Sequence, residues 1–450
     1  MKKTVFLLFF ILLYRPGQSQ STPELETFTL KNGLKVFFIK YGKIEAVHVS
    51  IVVNSGKKNE VPGQQGYNGI TAQMVLKGNK KYSEEEQNDK AYAIGIEWGT
   101  SSDFDETTLS ANFLSKDAYL GFDLMSAALL QPLFDKTKIE QDLSQIIDYN
   151  NPAKIDITKM ARIYTNLSLY GLDNPLGRNI YKAQLKQITP EKIKEFYAFN
   201  YTPKNTTILV CGNFNSSVVK GLIESYFGAW QSAYGEVNGV ELDLPVVKKR
   251  EVFFVNKASA TQCALQWTKM APSVKDKDFL AFEIANLIFN DVLHKEIREN
   301  AGKTYSIRSV AGNSRFSNLN YIMCSVRNSE VMNTLDLFDK TLQHFSQANF
   351  SKNDFDVQIT SFKTEILRME YPEQVAAFYN PLIYDFITRK NALNEINNLK
   401  IEDVQKVIKK YFTPDVYKLV IAGDETAVSS QLGKINTMKK YGPADLELKN

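Results

Sequence analysis

The chain carries one helix–turn–strand unit twice. Residues 188–212 read ITPEKIKEFYAFNYTPKNTTILVCG, and residues 399–423 read LKIEDVQKVIKKYFTPDVYKLVIAG. Without gaps, Glu191 falls opposite Glu402, Ile193 opposite Val404, Tyr201 opposite Phe412, Thr202-Pro203 opposite Thr413-Pro414, and Gly212 opposite Gly423. Each copy reads as an amphipathic helix, an aromatic anchor, a Thr-Pro break and a buried strand that stops at glycine. A tandem duplication of a domain of about 210 residues accounts for the pair better than chance does.

The remaining sequence fits two halves. Asn32-Gly33 between alternating apolar residues signals a hairpin, and Val47–Val53 and Thr107–Leu114 read as strands. Ser83 to Glu86 is a capping box that opens a helix, and 116–130 and 138–149 have helical spacing. The second half runs through strands at 251–255 and 263–268, a long helix over 278–299, and strands at 306–310 and 321–326. Strands and helices come in runs without strict alternation, which predicts an α+β fold with a mostly antiparallel sheet in each of two tandem homologous domains. The domains are expected at residues 20–231 and 248–450, joined by a Gly-containing polar linker at 232–247.

The first residues read as a secretory signal peptide, residues 1–19. Lys2-Lys3 is followed by the apolar run Thr4–Tyr14, then by small Gly17 and Ser19 before the expected cut at Gln20. That run is shorter than the ~20 residues a membrane span needs, and no other stretch is long and apolar enough. The expected location is therefore outside the cytoplasm, in a bacterial periplasm. The net charge is +4, and three of the positives precede residue 16, so the body is almost neutral. With no basic stripe, nucleic acid is not an expected partner.

Cys211, Cys263 and Cys324 are an odd number and lie in strand-like runs, so they read as small buried core residues. His48, His294 and His344 have no chelating spacing; His48 reads as a satisfied strand histidine and the others as surface residues. No metal site is expected in this chain. Gly302-Lys303-Thr304 follows a helix instead of opening one, so it is not a phosphate-binding loop, and no G-x-S-x-G elbow is present.

Four stretches in order carry a resemblance. LKNGLKVF (30–37) looks like an opening hairpin, NSGKKNE (54–60) like a strand-end segment, GITAQMVLKG (69–78) like a motif helix, and the Thr-Pro–strand–Gly unit closes each half. Together they resemble the pitrilysin/insulinase-type zinc metallopeptidases, especially the half-length relatives of mitochondrial processing peptidase. The resemblance implies that the two domains form half of a clam-like chamber. It covers the whole chain after the leader.

In active members the third stretch reads H-x-x-E-H, with two His ligands on one helix face and a Glu base for the zinc-bound water. Here those positions are Gly69, Ala72 and Gln73, and the downstream Glu ligand is replaced by Tyr149, next to Asp148. By that match this chain cannot hold zinc. A second segment survives: LHKEIRENAGKTYS (293–306) resembles the second-domain stretch in which an Arg and a Tyr seven residues apart face the zinc site. It assigns catalytic roles to Arg298 and Tyr305, which would donate to a substrate carbonyl and to an oxyanion. A third segment, Gly99 to Phe104, matches the neighbourhood of an edge strand that binds peptide, with Gly99, Thr100 and Ser101 as candidates.

The resemblance thus implies a non-metal subunit of an exported heterodimeric zinc peptidase. A homologous half-length partner would supply zinc and the Glu base, peptides would be the substrates, and this chain would carry no cofactor and be inert alone. The alternatives are an inert scaffold in which Arg298 and Tyr305 are relics, and a homodimeric peptide-binding module.

Overall fold

The computed structural model describes residues 24–151, 154–180, 187–234, 243–312, 318–380, 391–433, 435 and 437–446. The expected signal peptide lies outside the described residues, as does the centre of the expected linker, 235–242.

The first half builds a six-stranded sheet from β1 (Glu24–Thr29), β2 (Lys35–Lys40), β3 (Ala46–Val53), β4 (Glu97–Ser102), β5 (Thr107–Leu114) and β6 (Thr206–Gly212), in the order β1-β2-β6-β3-β5-β4. The second builds another from β7 (Glu251–Asn256), β8 (Gln262–Met270), β9 (Thr304–Ala311), β10 (Leu319–Arg327), β11 (Lys418–Gly423) and β12 (Met438–Tyr441), in the order β12-β7-β11-β8-β10-β9. Five strands correspond one for one. The strand of the repeated unit, β6 or β11, lies between a parallel neighbour (β2 or β7) and an antiparallel one (β3 or β8). The fold is α+β with two mostly antiparallel sheets, as the sequence predicts.

The described helices of the first half are α1 (Tyr67–Met74), α2 (Glu84–Ala93), α3 (Ala118–Leu130), α4 (Lys136–Tyr149), α5 (Ile157–Tyr170), α6 (Pro190–Asn200) and α7 (Ser216–Phe227). Those of the second are α8 (Phe279–Leu293), α9 (Val331–Phe345), α10 (Lys352–Leu367), α11 (Pro372–Phe378), α12 (Ala392–Asn398), α13 (Ile401–Tyr411) and α14 (Glu425–Leu432). Local chemistry sets their ends. Ser83 and Glu86 form the expected capping box on α2. Asp135 caps α4 through the Lys138 amide, so this helix starts two residues before the expected one. The expected helix over 278–299 is α-helical to Leu293 and then passes into a π turn, His294–Asn300.

One face of each sheet packs on helices of its own half. In the first, Phe38, Val49, Ile51 and Val210 meet Phe122 and Met125 of α3 and Ile223 of α7. In the second, Phe254, Leu265 and Trp267 meet Phe282 and Phe289 of α8 and Phe338 of α9. The three cysteines are buried and free, as expected.

The opposite faces are covered by exchange, which the sequence reading does not anticipate. Met160, Ala161, Tyr164 and Leu167 of α5, a first-half helix, pack on Phe253, Val255, Ala264, Val420 and Ala422 of the second sheet. In return Ile366, Met369, Val375, Ala376 and Ala392 from the second half pack on Ile39, Leu209 and Cys211 of the first sheet. Each half therefore seals an apolar sheet face that the other half would expose to water. No described helix is long and apolar enough to cross a membrane.

If the exchange holds the halves together, a chain cut between Tyr234 and Asp243 should stay one complex in gel filtration. Either piece expressed alone should lose its near-UV circular dichroism. Leu167→Ala should lower unfolding stability in urea by about 2–5 kcal/mol, the usual range for deleting a buried Leu side chain.

Candidate functional site

The segment NSGKKNE builds the surroundings of α1. Gly56 lets the chain pass so close to Phe104 that a Cβ would stand 2.2 Å from the Phe104 carbonyl oxygen. That approach allows the Lys57 and Lys58 amides to donate to the carbonyls of Asp103 and Phe104, at 3.0 and 3.1 Å. The chain then turns so that the buried Glu60 carboxylate accepts from the amides of Gly66 (3.1 Å) and Asn68 (2.9 Å). These are free donors at the start of α1, so an acidic side chain fits them. Arg178 donates to the Glu60 carbonyl at 2.9 Å, and the Lys57 ammonium donates to the Arg178 carbonyl. Asn68 ties α1 to the adjoining sheet edge by donating to Ser102 (2.5 Å) and Thr107 (3.0 Å).

Burial pushes the Glu60 carboxyl up to about 7; the two amide hydrogen bonds and the charges of Lys57 and Arg178 oppose that shift.

The expected remnants of a metal motif lie on this well-anchored helix. Gly69 faces open space, with nothing within 4 Å of where a Cβ would stand. Ala72 is buried and Gln73 is exposed. Tyr149 ends α4, and its ring lies 3.3 Å below the Lys159 ammonium. Asp148 is paired with Lys154. Gly69 and Ala72 offer no donor atom, Gln73 offers a neutral one, and the Tyr149 ring carries a cation, so this set does not fit zinc. Among the described residues, no three His, Cys, Asp or Glu side chains converge on a point that could hold a metal ion. His48 is satisfied inside β3 by Asn112 (2.8 Å) and Ser50 (2.7 Å). His294 is half-buried rather than on the surface, and His344 is exposed.

Arg298 and Tyr305 come together. Leu293 and Ile297 are fully buried and fix the helix against the core. The π turn that begins at His294 carries Arg298, and such turns shift side chains off the ordinary helical spacing. Gly302 at φ +59° then reverses the chain, with its amide on the Arg298 carbonyl at 3.1 Å. Tyr305 follows on β9, which lies at one edge of the second sheet, and is 88% exposed. The guanidinium carbon of Arg298 stands 5.6 Å from the Tyr305 ring centroid, a cation–π distance, and its Nη1 is 3.4 Å from His294 Nδ1. Tyr305 contributes to the wall of a cavity of about 700 Å³.

Gly99, Thr100 and Ser101 lie on β4, which pairs with β5 and forms the edge of the first sheet. Among the described residues the other side of β4 has no strand, so its backbone is free to pair. Arg298 and Tyr305 belong to the second sheet and the β4 trio to the first. The sequence reading misses Glu60 and Arg178, whose roles depend on contacts 118 residues apart in the chain. It also misses the cavity-lining Arg162, Arg308 and Arg327. The polar alternation of Thr304, Ser306 and Arg308 is visible in the sequence, but the helix opposite it is not.

Residues 36–177 match a family model described as insulinase (peptidase family M16), and residues 187–362 match one described as the peptidase M16 inactive domain. An uncharacterized zinc protease YmxG of Bacillus subtilis is 18% identical over 401 residues, which are 87% of this chain and 96% of that protein. The probable zinc protease PqqL of Haemophilus influenzae is 23% identical over 290 residues; the match takes in 58% of this chain but 30% of that longer protein. Among solved structures, a peptidase M16 inactive domain from Pseudomonas fluorescens superposes with a TM-score of 0.79 at 17% identity, over 89% of this chain and 98% of that one.

The raised Glu60 carboxyl has a definite sign. The folded state favours its neutral form, so its contribution to stability is complete below the ordinary carboxyl value of 4.5 and is lost as pH rises through about 7. Glu60→Gln keeps an acceptor for the two amides and never ionises. Its urea midpoint should match the wild type near pH 4.5 and exceed it above about pH 7.5. A constant offset across that range would reject the assignment.

Proposed function

Because this chain belongs to the M16 peptidase family, we propose that it is the non-metal subunit of an exported, periplasmic, heterodimeric zinc metallopeptidase. The observation that carries the proposal is an asymmetry. The helix and sheet edge around the motif position are intact but carry none of the His and Glu residues of the H-x-x-E-H motif, while Arg298 and Tyr305 converge beside an open cavity. A homologous half-length partner would supply the metal and the general base. In this reading the first domain, residues 20–231, carries the degenerate motif helix, and the second, residues 248–450, carries the Arg/Tyr pair.

The roles follow from the donor types. Arg298 presents N–H groups and a fixed positive charge, suited to hold a peptide carbonyl. Tyr305 presents an exposed O–H at the start of an edge strand, suited to donate to the negative oxygen that forms when the carbonyl is attacked. Removing one such donor typically costs about 3 kcal/mol in the barrier. Gly99, Thr100 and Ser101, on the free edge of β4, would pair with the backbone of a bound peptide.

The competing reading is a pseudo-peptidase that holds peptide without acting in turnover. It needs the cavity and the β4 edge but neither donor. Co-purification with an H-x-x-E-H chain from the same exported fraction provides the test material. In that pair, Arg298→Ala or Tyr305→Phe should lower kcat for peptide hydrolysis about 100-fold with the complex intact. Unchanged turnover would leave only the holding role.

A further inference from the structure

Two adjoining cavities lie between the first half's α4–α5 region and the second sheet. One, of about 700 Å³, is walled by β8, β9 and β10; the other, of about 820 Å³, extends under the end of α4 and the start of α5. Thr158, Gln266 and Met323 line both, so the two make a single trough. Its charged rim is one-sided. Lys154, Lys159, Arg162, Lys303, Arg308 and Arg327 border it, against the carboxylates of Asp148 and Asp156.

Those carboxylates are already engaged. Asp148 is paired with Lys154, and Asp156 caps α5 through the Lys159 amide at 2.7 Å. Lys303 is spent on Glu330 at 2.7 Å, outside the trough. Arg162, Arg308 and Arg327 are exposed, and among the described residues none has a carboxylate within 4 Å. The positive field is dense enough to act on its own members. The Lys159 ammonium is held below its usual range, first by burial and then by Arg162. In a body with little net charge, positive charge is thus concentrated on one interior surface.

We propose that this trough binds a peptide segment carrying Asp or Glu side chains. The guanidinium forks of Arg162, Arg308 and Arg327 match carboxylates. The floor between them is neutral, with Gln266, Thr304, Ser306 and Ser325 to meet peptide amides and Met323 to meet apolar stems. Phosphate chains would also meet the guanidinium groups, and Tyr149, with one face under Lys159, could stack a base on the other; the neutral floor that matches peptide amides is what favours peptide. The inference rests on the reading that this subunit presents peptides to a reaction, and it names their chemistry.

The test uses the purified chain alone, so it does not depend on turnover. Peptides of about twelve residues, one acidic, one neutral and one basic, each with an uncharged fluorophore, are titrated by fluorescence anisotropy. At about 50 mM salt the acidic peptide should bind at least tenfold more tightly than the neutral one, and the difference should shrink at about 0.5 M salt. Arg162→Gln, Arg308→Gln and Arg327→Gln should each weaken the acidic peptide several-fold, and the triple variant should abolish its preference. Circular dichroism checks that each variant is folded; the single variants decide if the triple one is not.

Equal binding of the neutral or basic peptide, no binding of any peptide, or single variants without effect would overturn the proposal. So would a single-stranded oligonucleotide that displaces the acidic peptide at lower concentration. An acidic preference with Arg298→Ala or Tyr305→Phe silent in the pair's hydrolysis would sink the catalytic roles and leave the trough standing.

Discussion

The exchange of helices between the two halves is the constraint on which the rest depends. Each sheet has two apolar faces, and each half owns enough helix to cover one. The second sheet's other face is closed by Met160, Ala161, Tyr164 and Leu167, which form one stripe of α5. Thr158, Lys159, Arg162 and Asn166 lie on the other side of that helix and form one bank of the trough. A single amphipathic helix therefore does two things: its apolar stripe locks the halves together, and its polar stripe faces the second sheet's Gln266 and Met323 across a cavity. The site is a by-product of how the fold closes.

The same economy explains how the motif's His and Glu residues can be replaced while the framework persists. The positions that would coordinate metal contribute little to folding: Gly69 borders open space and Gln73 is exposed. The groups that hold α1 are elsewhere. Glu60 satisfies two amides at its start, Asn68 fastens it to β4 and β5, and Tyr67, Ile70 and Met74 pack against Ile139 and Leu143 of α4. An unsatisfied buried amide costs roughly 1–3 kcal/mol, so these anchors are costly to lose, whereas ligand positions on an open face are not.

Much of this was legible in the sequence because it is local. The repeated unit gave β6 and β11 their matching places, Asn32-Gly33 gave the β1–β2 turn, and Ser83 with Glu86 gave the start of α2. That Arg298 and Tyr305 come together was legible because a buried Ile297 precedes the arginine and a left-handed Gly302 stands between the two. The exchange was not, because α5 has the amphipathic spacing of any surface helix and nothing in its residues says which sheet it will cover. Glu60 was read within a matched segment but not as a cap, since its partner amides follow a turn. The trough was illegible for the same reason as the exchange: Arg162, Arg308 and Arg327 are scattered singly in a sequence of little net charge, and only packing α5 on the second sheet brings them together. The π turn in place of a plain helix end has no signal in HKEIREN that we recognise.

Arg298 and Tyr305 stand at the edge of this positive surface, and that location bears on both roles proposed for the chain. An aromatic ring left 88% exposed adds little to folding, so its contact with a guanidinium 5.6 Å away is available to something bound. A field of arginines stabilises any negative charge brought into it, whether carried by a carboxylate or developing on a carbonyl oxygen. A carboxylate placed directly beside the reacting carbonyl would cancel the field there. A carboxylate held farther along the trough, near Arg162, would take up binding energy without doing so. Taken together, the two proposals favour peptides whose acidic residues are separated from the bond that reacts, with the carboxylates anchored between α5 and the second sheet and the scissile carbonyl near Tyr305.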